Sequence, residues 1–182
     1  GTHWTPVDTA LAHLRDHLEP VTGIEDLPIA QSAQRILAQD ITALRSHPPA
    51  PNSAVDGYGF AGPITQGAHV FPLLAGRSAA GQPYAHPVPA GAAIRVLTGA
   101  NLPEGVDTVI MQEDVTATQT QIAFHGPFKR GANARDAGED MRKGDVILTK
   151  GRKITPADIG TMAAAGVGQV LVHKRLAVGI LS

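Results

Sequence analysis

Asn52, Ser53, Asp56 and Gly57 crowd into six positions of one short stretch of the sequence, PNSAVDGYGF at residues 51–60. A carboxylate on a loop next to an amide and a hydroxyl can hold a cation or orient a reacting group. The same stretch also reads as a turn, because Asp-Gly favours positive φ and Asn and Ser bond their own backbone. A second stretch, RVLTGANLPEGVDTVIMQED at 95–114, places Thr98, Gly99 and Ala100 after an apolar run. A loop of small residues at a strand end brings backbone amides close to an anion. It lacks the Gly-Lys-Ser/Thr of a phosphate loop. A third, NARDAGED at 133–140, carries Asn133, Arg135, Glu139 and Asp140. The arginine can fork onto a phosphate or carboxylate. The adjacent acids of an extended chain point to opposite faces, so they chelate poorly unless the chain bends.

Other chemistries find less support. Among eight histidines, His13 and His17 have helical i, i+4 spacing, which suits zinc. They lie off the apolar stripe of their segment and read as a solvated face. There is no HExxH, no GxSxG and no Ser-His-Asp order. Cysteine is absent, which removes disulfides, thiolate metal sites and a cysteine nucleophile and fits a reducing compartment. The net charge of −1 argues against nucleic-acid binding, which needs a basic surface. No apolar run approaches the ~20 residues that span a bilayer, and the first residues lack the basic-then-apolar pattern of a signal peptide.

Elements that could carry these loops are readable in the texture. Hydrophobic residues make up 43% of the 182, enough for a core. Residues 5–18 read as a helix, with Thr5 as cap, Pro6 as first helical residue, and Val7, Leu11, Leu14 and Leu18 on one face. A shorter helix is expected near 30–38, through Ala33, Ile36 and Leu37, and a strand at 41–44. From about 45 to 140, HVFPLL, AIRVLT, DTVIMQ and TQIAF lie between prolines and glycines, as strands do. GPFKRGANARDAGEDMRKGD reads as a long polar connection. ITPADIGTMAAAGVG reads as a helix capped at Thr155, started by Pro156, supported by Asp158 and closed by Gly166. QVLVHK follows as a strand. RLAVGILS reads as a strand cut in mid-flight, which suggests a piece of a longer protein. The fold class expected is α+β: a mixed α/β body from residues 1–44 and 141–175, interrupted by a mostly-β domain at 45–140.

Taken in order, PNSAVDGY, RVLTGANLPEGVDTVIMQED, NARDAGED and KGDVILTKGRKITPADIGTMAAAGV resemble the molybdopterin molybdenumtransferase family, the bacterial MoeA type, related to the E domain of gephyrin. The resemblance runs from the first helix to the last strand. It implies that the body corresponds to MoeA domain I, the inserted β domain to domain II, and residues 176–182 to the start of a nucleotide-binding domain. The implied activity is insertion of molybdate into the dithiolene of adenylylated molybdopterin, with AMP release, magnesium as cofactor and molybdate and adenylyl-molybdopterin as substrates. The implied protein is a cytoplasmic homodimer whose active cleft is shared between chains. A scaffold role like that of gephyrin, or sensing of molybdate or pterin, remains open beside it. Asp56 and Thr98 match the functional aspartate and threonine of the DGY and TGA motifs. Ser53, Gly99, Asn133, Arg135 and Asp140 match positions expected to bind substrate, with Glu139 in the same GED. No metal ligand is assigned. The chain departs from the family pattern where Pro51 replaces an aspartate, Val55 a methionine and Gly59 an alanine.

Overall fold

In the computed structural model, which describes residues 4–181, the elements in chain order are α1 (Val7–His17), β1 (Ile24–Pro28), β2 (Ile41–Thr42), β3 (Asn52–Ser53), β4 (Gly57–Phe60), β5 (Ile64–Ser78), β6 (Ala93–Val96), β7 (Thr108–Met111), β8 (Thr116–Ala117), β9 (Gln121–Phe128), β10 (Ala134–Arg135), β11 (Val146–Leu148), α2 (Pro156–Ala164) and β12 (Gln169–His173). They divide into two units. The first is Gly1–Ile41, Val146–Ala163 and Val167–Ser182, the second Thr42–Asp145 and Ala164–Gly166.

In the first unit β1 pairs antiparallel with β12, from Ile24 opposite His173 to Pro28 opposite Gln169. Val170 and Val172 alternate inward and are buried, as are Leu37, Ile154 and Met162 of the same unit. The helix expected near 30–38 does not form. A single 3-10 turn, Ile29–Gln31, precedes an extended run. Ile36 bridges Lys153 and Leu37 bridges Val172, while Leu37 N donates to the Arg152 carbonyl at 3.0 Å and His173 N to the Ile36 carbonyl at 2.9 Å. Backbone bonds to chain more than a hundred residues away override the local helical spacing. Buried Arg35 fastens the run by pairing with Glu25 and donating to the His173 carbonyl.

Helix α1 begins one residue later than expected. Pro6 is its cap, with no side-chain cap bond. None of its residues is buried, so the stripe Val7, Leu11, Leu14 and Leu18 is exposed. His17 donates from Nδ1 to the His13 carbonyl at 2.8 Å, and the two rings stack with centroids 4.0 Å apart. The run from Lys174 to Leu181 is not a strand. Lys174 N still donates to the Gly23 carbonyl at 2.8 Å, but among the described strands none pairs with the run beyond it, and a strand needs such a ladder.

Helix α2 starts as its sequence demands. The Thr155 N–H donates to Asp158 Oδ2 at 2.9 Å and the Asp158 N–H to Thr155 Oγ1 at 3.3 Å, a reciprocal cap. Arg152 closes on the same carboxylate with Nη2 2.9 Å from Oδ1. Chiefly through that arginine, the Asp158 carboxyl is pulled down to about 2. The unfolded value is about 3.9, so the folded state binds the proton less tightly. This stabilisation is therefore complete above about pH 4 and is lost as the pH falls toward 2. Asp158→Asn is expected to flatten that part of the stability–pH curve, removing on the order of 2 kcal/mol at neutral pH. Urea unfolding of both proteins between pH 2 and 7 checks it; parallel curves would contradict the assignment.

The second unit is built on a six-stranded sheet in the order β7-β4-β6-β5-β9-β8. All pairs are antiparallel except β5 with β6. The 15-residue β5 changes register along its length, which lets its two ends serve β9 and β6 in turn. Two apolar clusters cover the two faces. Phe60, Ala93, Ile110, Ile122 and Phe124 form one. Val88, Ile94, Val96, Val106 and Val109 form the other. Apart from the sheet, β3 pairs with β10, Ser53 opposite Ala134 and Asn52 opposite Arg135. The polar connection read at 126–145 thus contains the end of β9 and a strand that anchors it.

Candidate functional site

Central strand β4 carries the DGYG run between β6 and β7. Gly57 is not a positive-φ turn glycine. A Cβ built on it would lie 1.9 Å from the Ile110 carbonyl oxygen. The glycine is there because two backbones approach closely, and the turn reading of Asp-Gly is replaced by a strand start. Gly59 follows the same logic. A Cβ there would lie 2.7 Å from Val106 Cγ1 and 3.3 Å from Val96 Cγ1.

Asp56 stands at the entry to β4 and Thr98 just past the end of β6, strands that run side by side. The Thr98 N–H and its hydroxyl both donate to Asp56 Oδ1, each at 2.7 Å, across 42 residues of sequence. The two donors hold the carboxyl below the ordinary aspartate range, the backbone bond first and the hydroxyl second, with the Arg95 charge adding to them. Asp56 is exposed and ionised at neutral pH, a fixed acceptor at the start of β4. Its own carbonyl accepts from Gln112 N at 3.0 Å.

The other expected residues lie on the strand and loops beside this latch. Strand β3 is held on one side by the 99–101 loop and on the other by β10. The Gly99 amide donates to the Ser53 carbonyl at 2.8 Å and Ser53 N to the Ala100 carbonyl at 2.9 Å. The Gly99 amide, expected to face an anion, is therefore engaged within the protein. Ser53 is buried, and its hydroxyl donates to the Val55 carbonyl at 2.6 Å. Asn133 takes φ +54° and donates from its side chain to the Val109 carbonyl at 2.9 Å. These three residues shape the loops.

Arg135 extends from β10 toward two carboxylates. Its Nη2 donates to Asp140 at 2.6 Å and its Nε to Glu139 at 3.3 Å. The chain turns between Asp136 and Glu139, so the adjacent acids converge on one guanidinium instead of diverging. Both carboxylates raise the arginine's already high pKa, Asp140 most. Asp140 also lies 3.9 Å from His47 Nε2.

Arg95 went unnoticed in the sequence. On β6 it faces Tyr58 across the β4 pairing, with its guanidinium 5.1 Å from the ring centroid. It donates to the Gly57 carbonyl at 3.3 Å and to the Gln112 side chain. Its only signal was an arginine where the alternation of AIRV puts an inward residue beside Ala93. Cavities of about 540 and 500 Å³ lie elsewhere, the first lined by Arg35, Ile36 and His173, the second by His69, Phe124 and His125. Neither includes Asp56 or Thr98, so the latch is a surface feature. Among the described residues no three His, Asp or Glu side chains group to hold a metal. No helix among them is long and apolar enough to cross a membrane.

Against known proteins, the chain is 38% identical over 177 residues to a molybdopterin molybdenumtransferase of Haemophilus influenzae, covering 97% of the chain and 44% of that protein. To one of Synechococcus elongatus it is 36% identical over 165 residues, covering 88% and 41%. It thus spans less than half the length of these relatives. The structure superposes on that of a molybdopterin biosynthesis moeA protein from Pyrococcus horikoshii OT3 with a TM-score of 0.79 and 32% identity, over 94% of this chain and 46% of that one. The family described as MoeA N-terminal region (domain I and II) matches residues 5–166, and the chain belongs to that family.

Proposed function

We propose that the chain is the N-terminal part of a molybdopterin molybdenumtransferase, acting in molybdenum cofactor biosynthesis by inserting molybdate into adenylylated molybdopterin with release of AMP. The observation that carries the reading is the Asp56–Thr98 latch, which unites two motif segments of a MoeA-family chain. The relatives bear the name of that transferase. Asp56 supplies a fixed negative acceptor, suited to a water or a protonated group of the substrate rather than to an oxyanion. Thr98, with both donors on Asp56, positions the 98–100 loop. Arg135 and Asp140, bound to each other, form a rigid charged wall on the far side of β3. Holding reactants in place is the largest service such a surface offers, worth up to about 7–11 kcal/mol when orientation is complete.

In this reading the full protein works as a cytoplasmic homodimer, with the surface described here completing a cleft of the partner. Magnesium would neutralise substrate phosphate charge. The described residues do not fit a magnesium site by themselves, because no carboxylate cluster forms and one Asp56 oxygen is already engaged. No step is derived through the ion.

The test is an assay of the full-length protein with adenylylated molybdopterin. AMP release that requires molybdate is expected. Release at the same rate without molybdate, or none with it, overturns the reading.

A further inference from the structure

Each anion-binding donor expected from the sequence turns out to be engaged. The Thr98 N–H and hydroxyl are on Asp56. The Gly99 amide is on Ser53, and the Ala100 amide on the Leu97 carbonyl at 2.9 Å. Arg135 is matched by two carboxylates, so its field at a distance is cancelled.

Arg95 differs in the character of its partners. Its recorded bonds go to the Gly57 carbonyl and the Gln112 amide oxygen, and the flat of its guanidinium to the Tyr58 ring. All three are neutral. No carboxylate forms an ion pair with it within 4.0 Å among the described residues. Of the guanidinium's five N–H donors, two are used in these bonds. The Tyr58 ring and the two oxygens fix the plane of the fork, so little side-chain freedom remains to be lost on binding. Arg95 is half-buried, which strengthens a charged hydrogen bond there relative to water. Asp56 is the nearby negative charge, and its acceptor oxygen is turned to Thr98.

We propose that Arg95 is the oxyanion-binding residue of this site, receiving a tetrahedral oxyanion of the substrate on the outer N–H groups of its guanidinium. The assignment rests on the transferase reading above for the identity of the substrate, but the binding itself does not. Two sources share the chemistry: molybdate, and the phosphate of the adenylyl substrate. The fork is preset by neutral groups, so its charge is available without first breaking an ion pair. Arg135 would have to release Glu139 or Asp140 to do the same.

The test follows the Arg95 Nε–H and Thr98 amide signals of the chain by NMR during titration with sodium molybdate and, separately, with AMP. The expected result is a saturable shift of both signals with at least one of the two probes; the probe that binds identifies the source. Arg95→Gln is expected to weaken that binding about tenfold or more, and Arg95→Lys, which keeps the charge but loses the fork, by less. Lys129→Gln, which removes an exposed charge outside the site, should bind as the parent does. The proposal falls if neither probe moves the two signals up to tens of millimolar. It falls equally if Arg95→Gln, with its amide spectrum otherwise retained, binds as tightly as the parent, or if Lys129→Gln weakens binding as much. Should Arg95→Gln fail to fold, Arg95→Lys binding with undiminished affinity overturns the bidentate role. Loss of AMP release in the full-length assay, with Arg95-dependent binding intact, would remove the transferase reading and leave this site standing.

Discussion

Asp56→Asn in the full-length protein is expected to lower molybdate-dependent AMP release about 100-fold while leaving the fold in place. The substitution keeps the shape of the side chain and an oxygen that can accept from Thr98, and it removes the charge. Thr98 reaches the carboxylate through two donors at 2.7 Å, and charge-assisted bonds of this kind are roughly twice as strong as neutral ones. The neutral amide therefore holds the 98–100 loop less firmly and offers the substrate a weaker acceptor. Thr98→Val removes the hydroxyl donor but keeps the backbone one, so a smaller loss, about tenfold, is expected. The two residues act as one latch, so the double variant should lose little more than Asp56→Asn alone. The sign of the pH effect also follows. The Asp56 carboxyl lies below the usual aspartate range because of the Thr98 bonds. Its contribution is thus present throughout the neutral range and fades only as the pH falls through that lowered value. Rate measurements on the three variants decide the matter. Parent-like turnover by both Asp56→Asn and Thr98→Val would remove these residues from the site.

The parts of this structure that were legible in the sequence are those set by local chemistry. Thr155, Pro156 and Asp158 are sufficient to begin α2, because the cap closes within four residues. The strands around Val96, Val109 and Ile122 follow from apolar runs between breakers. The pairing of Asp56 with Thr98 was not in any periodicity. The motifs marked each residue separately, and only the β4–β6 ladder brings the two together. What stayed hidden is what distant backbone decides. Residues 34–38 have helical spacing, yet their partners at 151–154 and 171–173 draw them out straight. The donors of Gly99 and Arg135 looked available because the sequence does not show that Ser53, Glu139 and Asp140 reach them first. Arg95 was invisible for the converse reason. Its meaning depends on facing Tyr58 across the sheet, and strand register cannot be read from one strand alone.

Gly57→Ala should destabilise the protein by about 3 kcal/mol, the upper end of ordinary overpacking, and lower its melting temperature by about 10 °C. The φ at Gly57 suits any residue, so backbone strain plays no part. The cause is space. The added methyl would meet the Ile110 oxygen at 1.9 Å and its carbon at 2.9 Å. Both are backbone atoms of β7, which cannot rotate aside as a side chain does. Strand β4 cannot retreat either, since β6 holds its other edge through Gly57 opposite Val96. One ladder must open, and Asp56 is the next residue along the chain. The Thr98 amide signal should therefore move in Gly57→Ala even where the protein stays folded, because its acceptor is displaced. Gly160 gives the opposite expectation. It lies inside α2 with nothing within 4 Å of a built Cβ and no positive φ, so Gly160→Ala should stabilise by up to about 1 kcal/mol. Calorimetry on the pair separates crowding from conformational freedom. A Gly57→Ala protein that melts with its parent would mean that β4 and β7 are not held as closely as the register requires, and the latch would lose the rigid strand it stands on.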